Sequence, residues 1–163
     1  MDDSMNSFLN DGLGVYAKAR ATLALFEVEI GKLISASVQH RERWSSLRIG
    51  KTSQPTRDKG FEPDGYWMYI KIEALSHRQE QVVIECGIWW NATVNCNAII
   101  YGCFHQPGRI MAFPWKKEQS GIESFNRWNK THLYLPVEKN TEIDGVLNQI
   151  LDQLLIQLDK GGG

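Results

Sequence analysis

The chain has 163 residues, 42% of them hydrophobic and 23% charged, with a formal net charge of −1. That length suits one domain, 1–163, able to bury roughly 70% of the surface its unfolded chain exposes. The near-neutral charge gives no global pull toward nucleic acid or an anionic membrane, and no apolar run approaches the roughly 18 residues needed to span a bilayer.

The N-terminus carries Asp2 and Asp3 and lacks the basic-then-apolar pattern of a secretion signal. The three cysteines, Cys86, Cys96 and Cys103, have neither an even count nor metal-site spacing. They read as reduced thiols of a cytoplasmic protein. The Asn-x-Thr triplets at Asn91 and Asn129 carry no weight without a secretion signal.

Ser7 to Ser46 reads as one long helix. Leu9, Leu13, Tyr16, Leu23, Phe26, Ile30, Leu33 and Ile34 recur at three- and four-residue spacing. Gly12, Gly14 and Gly31 weaken it, at about 1 kcal/mol each against alanine, and a break is expected near Gly12 to Gly14. Glu27, close to the apolar stripe, reads as a solvated flanking residue rather than a site carboxylate.

The segment 41–65 is basic and loop-like. Arg41, Arg43, Arg48, Lys51, Arg57 and Lys59 stand against Glu42 and Asp58, among Ser, Thr, Pro and Gly. It reads first as a solvated connection and second as a phosphate-contacting patch.

Gln81 to His105 reads as a β-hairpin at the middle of the sheet, and Tyr66 to Ala74 as the strand beside it. Met68, Ile70, Ile72 and Ala74 alternate with Trp67, Tyr69, Lys71 and Glu73; two further β-branched and aromatic runs follow, joined by a polar turn at 92–96. The register that places apolar beside apolar sets Ile72 against Ile84, Ile70 against Cys86, Ile88 against Ile100 and Ile84 against Phe104. It collects Trp67, Trp89 and Ile99 in one row of the opposite face and Tyr69, Gly87 and Tyr101 in the next, with Lys71 beside Glu85.

The segment 106–131 also reads as irregular, with one short strand at Ile110 to Phe113. Trp115, Lys116, Lys117, Phe125, Arg127, Trp128 and Lys130 lie among Ser, Gly and Asn. Interleaved rings and cations suit single-stranded nucleic acid or a protein interface. The plainer reading is that the rings pin a long connection to the domain. Leu133, Leu135 and Val137 mark a further strand. Thr141 and Asp144 then form a weak capping box before an amphipathic helix carrying Ile143, Leu147, Ile150, Leu151, Leu154 and Leu155.

The order of elements predicts an α+β fold: an antiparallel four- to five-stranded sheet with a long N-terminal helix and a C-terminal amphipathic helix packed on it. No phosphate loop or nucleophile elbow is present, and His40, His77, His105 and His132 lack metal-spaced partners. No catalytic residue, metal or cofactor is assigned. Glu27, Asp64 and Glu85 stand roughly where a restriction-type nuclease carries its acids. Lys71-x-Glu73 reverses that superfamily's Glu-x-Lys signature, however, and Gly87 follows Glu85 where the lysine belongs, so the chain is not assigned to it. Cys103 and His105 share a strand face, which any i and i+2 pair does.

The favoured reading is a small soluble, non-enzymatic interaction module of accessory, inhibitor or immunity type. The aromatic sheet face is too apolar to stand open: either the long N-terminal helix covers it, making a three-layer sandwich, or a protein partner or a second copy binds through it, with Trp67, Tyr69, Trp89, Tyr101, Trp115, Arg127 and Trp128 as contacts. The alternative is a nucleic-acid-binding or nuclease-like protein using Arg41, Arg43, Arg48, Lys51, Lys116 and Lys117.

Overall fold

The computed structural model describes residues 3–39, 47–52, 56–62, 65–76, 80–91, 97–106 and 108–161. The fold is α+β. A short helix α1 (Asp3–Ser7) runs through a single π turn, Phe8–Gly12, into the long helix α2 (Leu13–Gln39). The strands are β1 (Leu47–Thr52), β2 (Thr56–Glu62), β3 (Gly65–Ser76), β4 (Gln81–Asn91), β5 (Ile99–His105), β6 (Glu123–Arg127) and β7 (Lys130–Pro136), followed by helix α3 (Ile143–Gly161). The described strands form one antiparallel sheet in the order β1-β3-β4-β5-β7-β6, with β2 also on β3.

The central register follows the apolar alternation. Ile72 lies opposite Ile84, Ile70 opposite Cys86 and Trp67 opposite Trp89. Ile88 lies opposite Ile100, Cys86 opposite Gly102 and Ile84 opposite Phe104. A one-residue slip would exchange the two faces of every strand, so the buried rows hold the register.

Two segments expected to be irregular contain strands. In 41–65, β1 pairs along the C-terminal half of β3, Leu47 opposite Ser76, and β2 along its N-terminal half, Thr56 opposite Tyr69. They are two pieces of one interrupted edge strand. Their sequences, LRIGKT and TRDKGFE, carry the charge with which natural sheets blunt an edge, and that charge hides the alternation. In 106–131, Ile110 to Phe113 is not a strand. Met111 makes one isolated bridge to Lys130, and β6 and β7 form a hairpin instead. The tail of the predicted first helix, 40–46, lies outside the described residues, as do Asp64 and the 92–96 turn. The chain loosens from α-helix to π turn at Phe8–Gly12, close to the expected break.

The main core lies between α3 and one sheet face. Leu147, Ile150, Leu151, Leu154 and Leu155 pack against Met68, Ile70, Ile72, Ile84, Cys86, Ile100 and Leu133. Each such side chain contributes roughly 1.5–3 kcal/mol on burial. Gly102 lets the helix approach: a Cβ there would lie 2.8 Å from Ile150 Cγ2 and Leu154 Cδ1. Thr141 does not cap α3 as expected; its hydroxyl accepts the Glu138 backbone N–H at 2.7 Å, closing the preceding turn. Helix α2 touches α3, β1 and β3.

Candidate interaction site on the aromatic sheet face

The face of the sheet away from α3 carries a second core. Trp67, Ile99 and Tyr101 are buried there, with Tyr69, Trp89, Phe125 and Tyr134 half-buried around them. Alternation in β3, β4, β5, β6 and β7 puts these side chains on one side. The indole of Trp67 lies 5.4 Å from the Trp89 ring and 5.3 Å from that of Tyr101.

This face is strongly concave. The Trp67 ring on β3 is 5.2 Å from that of Trp128, in the β6–β7 turn, and 6.4 Å from that of His132 on β7. In a flat sheet β3 and β7 would be about 14 Å apart, three strand spacings. The sheet therefore curls enough for the Trp128 and His132 rings of the β6–β7 hairpin to reach back to the Trp67 ring on β3. Gly87 stands inside the curve, where a Cβ would lie 2.0 Å from the Met68 carbonyl oxygen and 2.8 Å from Tyr69 Cα. Only glycine permits so close an approach of the strands.

The cover over Trp67 thus comes from side chains of the sheet's own far hairpin: Trp128, His132 and Arg127. The sequence left two covers for this face, the first helix or a partner; the hairpin's side chains are a third. Trp67, 6% exposed, and Tyr101, fully buried, are core residues. Tyr69 and Trp89 show only part of their surface. Trp115 is half-buried on the opposite core and its indole N–H donates to the Ile122 carbonyl at 2.8 Å; it pins the connection, as the plainer reading had it. Arg127 and Trp128 remain at the surface, with Trp128 54% exposed.

The hairpin tip is unusual. Arg127 pairs with Lys130 across a two-residue turn, Trp128 and Asn129, whose φ angles are +51° and +59°. Positive φ at both central positions is the geometry of a type I′ hairpin, normally filled by Asn, Asp and Gly. A bulky residue there is strained. The strain is offset by contacts: the Trp128 ring meets Trp67, and the Arg127 guanidinium lies 4.2 Å from the Trp128 ring centroid and 5.3 Å from that of Trp67.

Beneath the tip runs a polar chain. The Trp67 indole N–H donates to the Tyr101 hydroxyl oxygen, and the Tyr101 O–H donates to Glu85 Oε1 at 2.9 Å. Lys130 Nζ lies 3.8 Å from Glu85 Oε2. Burial, reinforced by the Glu85 charge, holds the Tyr101 phenol well above its ordinary pKa, so it stays protonated and donates. Burial likewise raises the Cys103 thiol; a buried, protonated thiol is a poor nucleophile. His132 is fully buried and its ring stacks on Phe125 at 4.7 Å. Neither ring nitrogen has a hydrogen-bond partner among the described residues. Burial pushes its pKa down to about 4; the Lys130 charge and, more weakly, the Arg127 charge push the same way, against an opposing pull from the Lys130 backbone.

Glu85, the acid a nuclease-like centre would use, is thus engaged by Tyr101 and Lys130. Among the described residues no group of His, Cys, Asp or Glu is placed to hold a metal ion. The basic residues of the alternative reading are dispersed. Arg41 and Arg43 lie outside the described residues. Arg48 and Lys51 are on edge strand β1, whereas Lys116 and Lys117 adjoin β6 on the other edge. Lys117 is ion-paired with Glu123, and Arg109 with Glu80. Lys130 and His132 were the site residues least apparent from sequence. Alternation opposite Leu133 and Leu135 was the available signal, since it puts Lys130, His132 and Tyr134 on the aromatic face. Comparison with protein-family models, curated proteins and solved structures returns no match.

Proposed function

We propose that the protein is a non-enzymatic interaction module that captures a protein partner with the Arg127–Trp128 tip of the β6–β7 hairpin. The observation that carries this is the strained Trp128 backbone. A half-exposed tryptophan in a left-handed turn position is strained, the strain is borne by its contacts with Trp67 and Arg127, and its ring and the stacked Arg127 present residue types enriched at interface hot spots. The rings beneath hold both side chains in place, which lowers the ordering cost of binding.

Pairing of Lys117, Arg109 and Lys130 with carboxylates favours a protein over a nucleic acid. We place the protein in the cytoplasm. Cys86 and Cys103 are both buried, an environment that suits a reduced, unreactive thiol, and no described helix is long and apolar enough to cross a membrane.

The test compares the wild-type chain with Trp128→Gly in quantitative capture from the source cells, alongside thermal unfolding. Trp128→Gly relieves the turn strain as it removes a half-exposed ring, so stability is expected to stay within about 1 kcal/mol. The captured partner is expected to be lost. Capture unchanged in Trp128→Gly, or salt-sensitive binding to single-stranded DNA or RNA that Trp128→Gly and Arg127→Ala weaken, would overturn the proposal.

A further inference from the structure

We infer that the N-terminal helix is a second interaction surface and that its occupant is another copy of this chain, paired antiparallel. Phe8, Leu9, Leu13, Val15 and Tyr16, all within nine residues, are between 43% and 69% exposed. At 100° per residue Phe8, Leu9, Val15 and Tyr16 fall within about 120° of one another around the helix, an exposed apolar strip of the kind that marks an interaction site, with Leu13 just outside it. The patch contains the π turn Phe8–Gly12, a feature that recurs at functional positions.

The charges choose the occupant. Asp11 and Lys18 are seven residues apart, two turns, and so share one flank of the helix. A two-fold axis near Val15 brings Asp11 of each copy beside Lys18 of the other. The pattern is therefore self-complementary, as an isologous interface requires. Parallel pairing would set Asp11 against Asp11 and Lys18 against Lys18. A membrane surface fits less well. Helices that lie on bilayers carry a face rich in Lys and Arg, whereas Asp3, Asn6, Asn10 and Asp11 occupy the polar side of these first turns.

Sedimentation velocity on the full chain, from about 1 to about 200 μM, tests the pairing. A concentration-dependent dimer is expected. Val15→Glu is expected to weaken it by about a hundredfold, and Asp11→Lys or Lys18→Asp by about tenfold each. The double variant carrying both charge changes restores the dimer, and mixing the two single variants gives a heterodimer. Far-UV circular dichroism confirms that each variant is folded; should Val15→Glu unfold, the charge exchange decides. A monomer throughout the range, a dimer indifferent to both charge changes, or a monomer that instead sediments with phosphatidylcholine–phosphatidylglycerol vesicles would overturn the inference.

Discussion

His132 is the residue whose surroundings contradict its chemistry most sharply. It sits between Phe125, Trp67, Tyr101 and Trp128, with both ring nitrogens unbonded among the described residues. Its folded-state pKa, about 4, lies below the ordinary 6.5. Above pH 6.5 the ring is neutral in folded and unfolded chains alike, and its contribution to stability is fully present. As the pH falls from 6.5 toward 4 the unfolded chain takes the proton first, and about 3 kcal/mol is lost across that window. Replacing His132 with Phe keeps the stack and removes the titration. His132→Phe is expected to be at least as stable as wild type at pH 7 and to flatten the pH 4–6.5 slope in chemical denaturation. An unchanged slope would show that other groups carry the acid sensitivity.

At the scale of elements, the central strands were legible and the edge was not. Met68, Ile70, Ile72, Ile84, Cys86 and Ile88 alternate cleanly because α3 buries one whole face, and burial is what writes a period of two into a sequence. Edge pieces β1 and β2 are under the opposite pressure, toward charge and irregularity. The β6–β7 hairpin was missed because Trp128 occupies a turn position that sequence reasoning reserves for Asn or Gly. The contact between β5 and α3 gives the sharpest test at this scale. Gly102→Val drives two methyl groups toward Ile150 and Leu154, with Cβ already too close at 2.8 Å. The expected loss is about 1–3 kcal/mol, read as a lower denaturation midpoint, and Leu154→Ala in the same chain should recover part of it. A Gly102→Val protein as stable as wild type would mean that α3 does not seat on this strand.

For the molecule as a whole, the decisive property is curvature. The rows Trp67–Trp89–Ile99 and Tyr69–Gly87–Tyr101 were readable from alternation, so the membership of the aromatic face was visible in the sequence. Its enclosure was not. Curl is a collective result of strand twist, the close approach at Gly87 and a hairpin that returns to its own sheet; no single residue announces it. The consequence is that a face with enough apolar surface to demand a partner largely supplies its own cover, leaving Arg127 and Trp128 as its outward part. Hydrogen exchange of the tryptophan indole N–H groups, followed by NMR, tests this most directly. The Trp67 indole, bonded to Tyr101 beneath the hairpin, is expected to exchange only on opening of the fold, whereas that of half-exposed Trp128 exchanges rapidly. A Trp67 indole that exchanges as fast as Trp128 would show the aromatic face to be open and the hairpin's side chains not to be its cover.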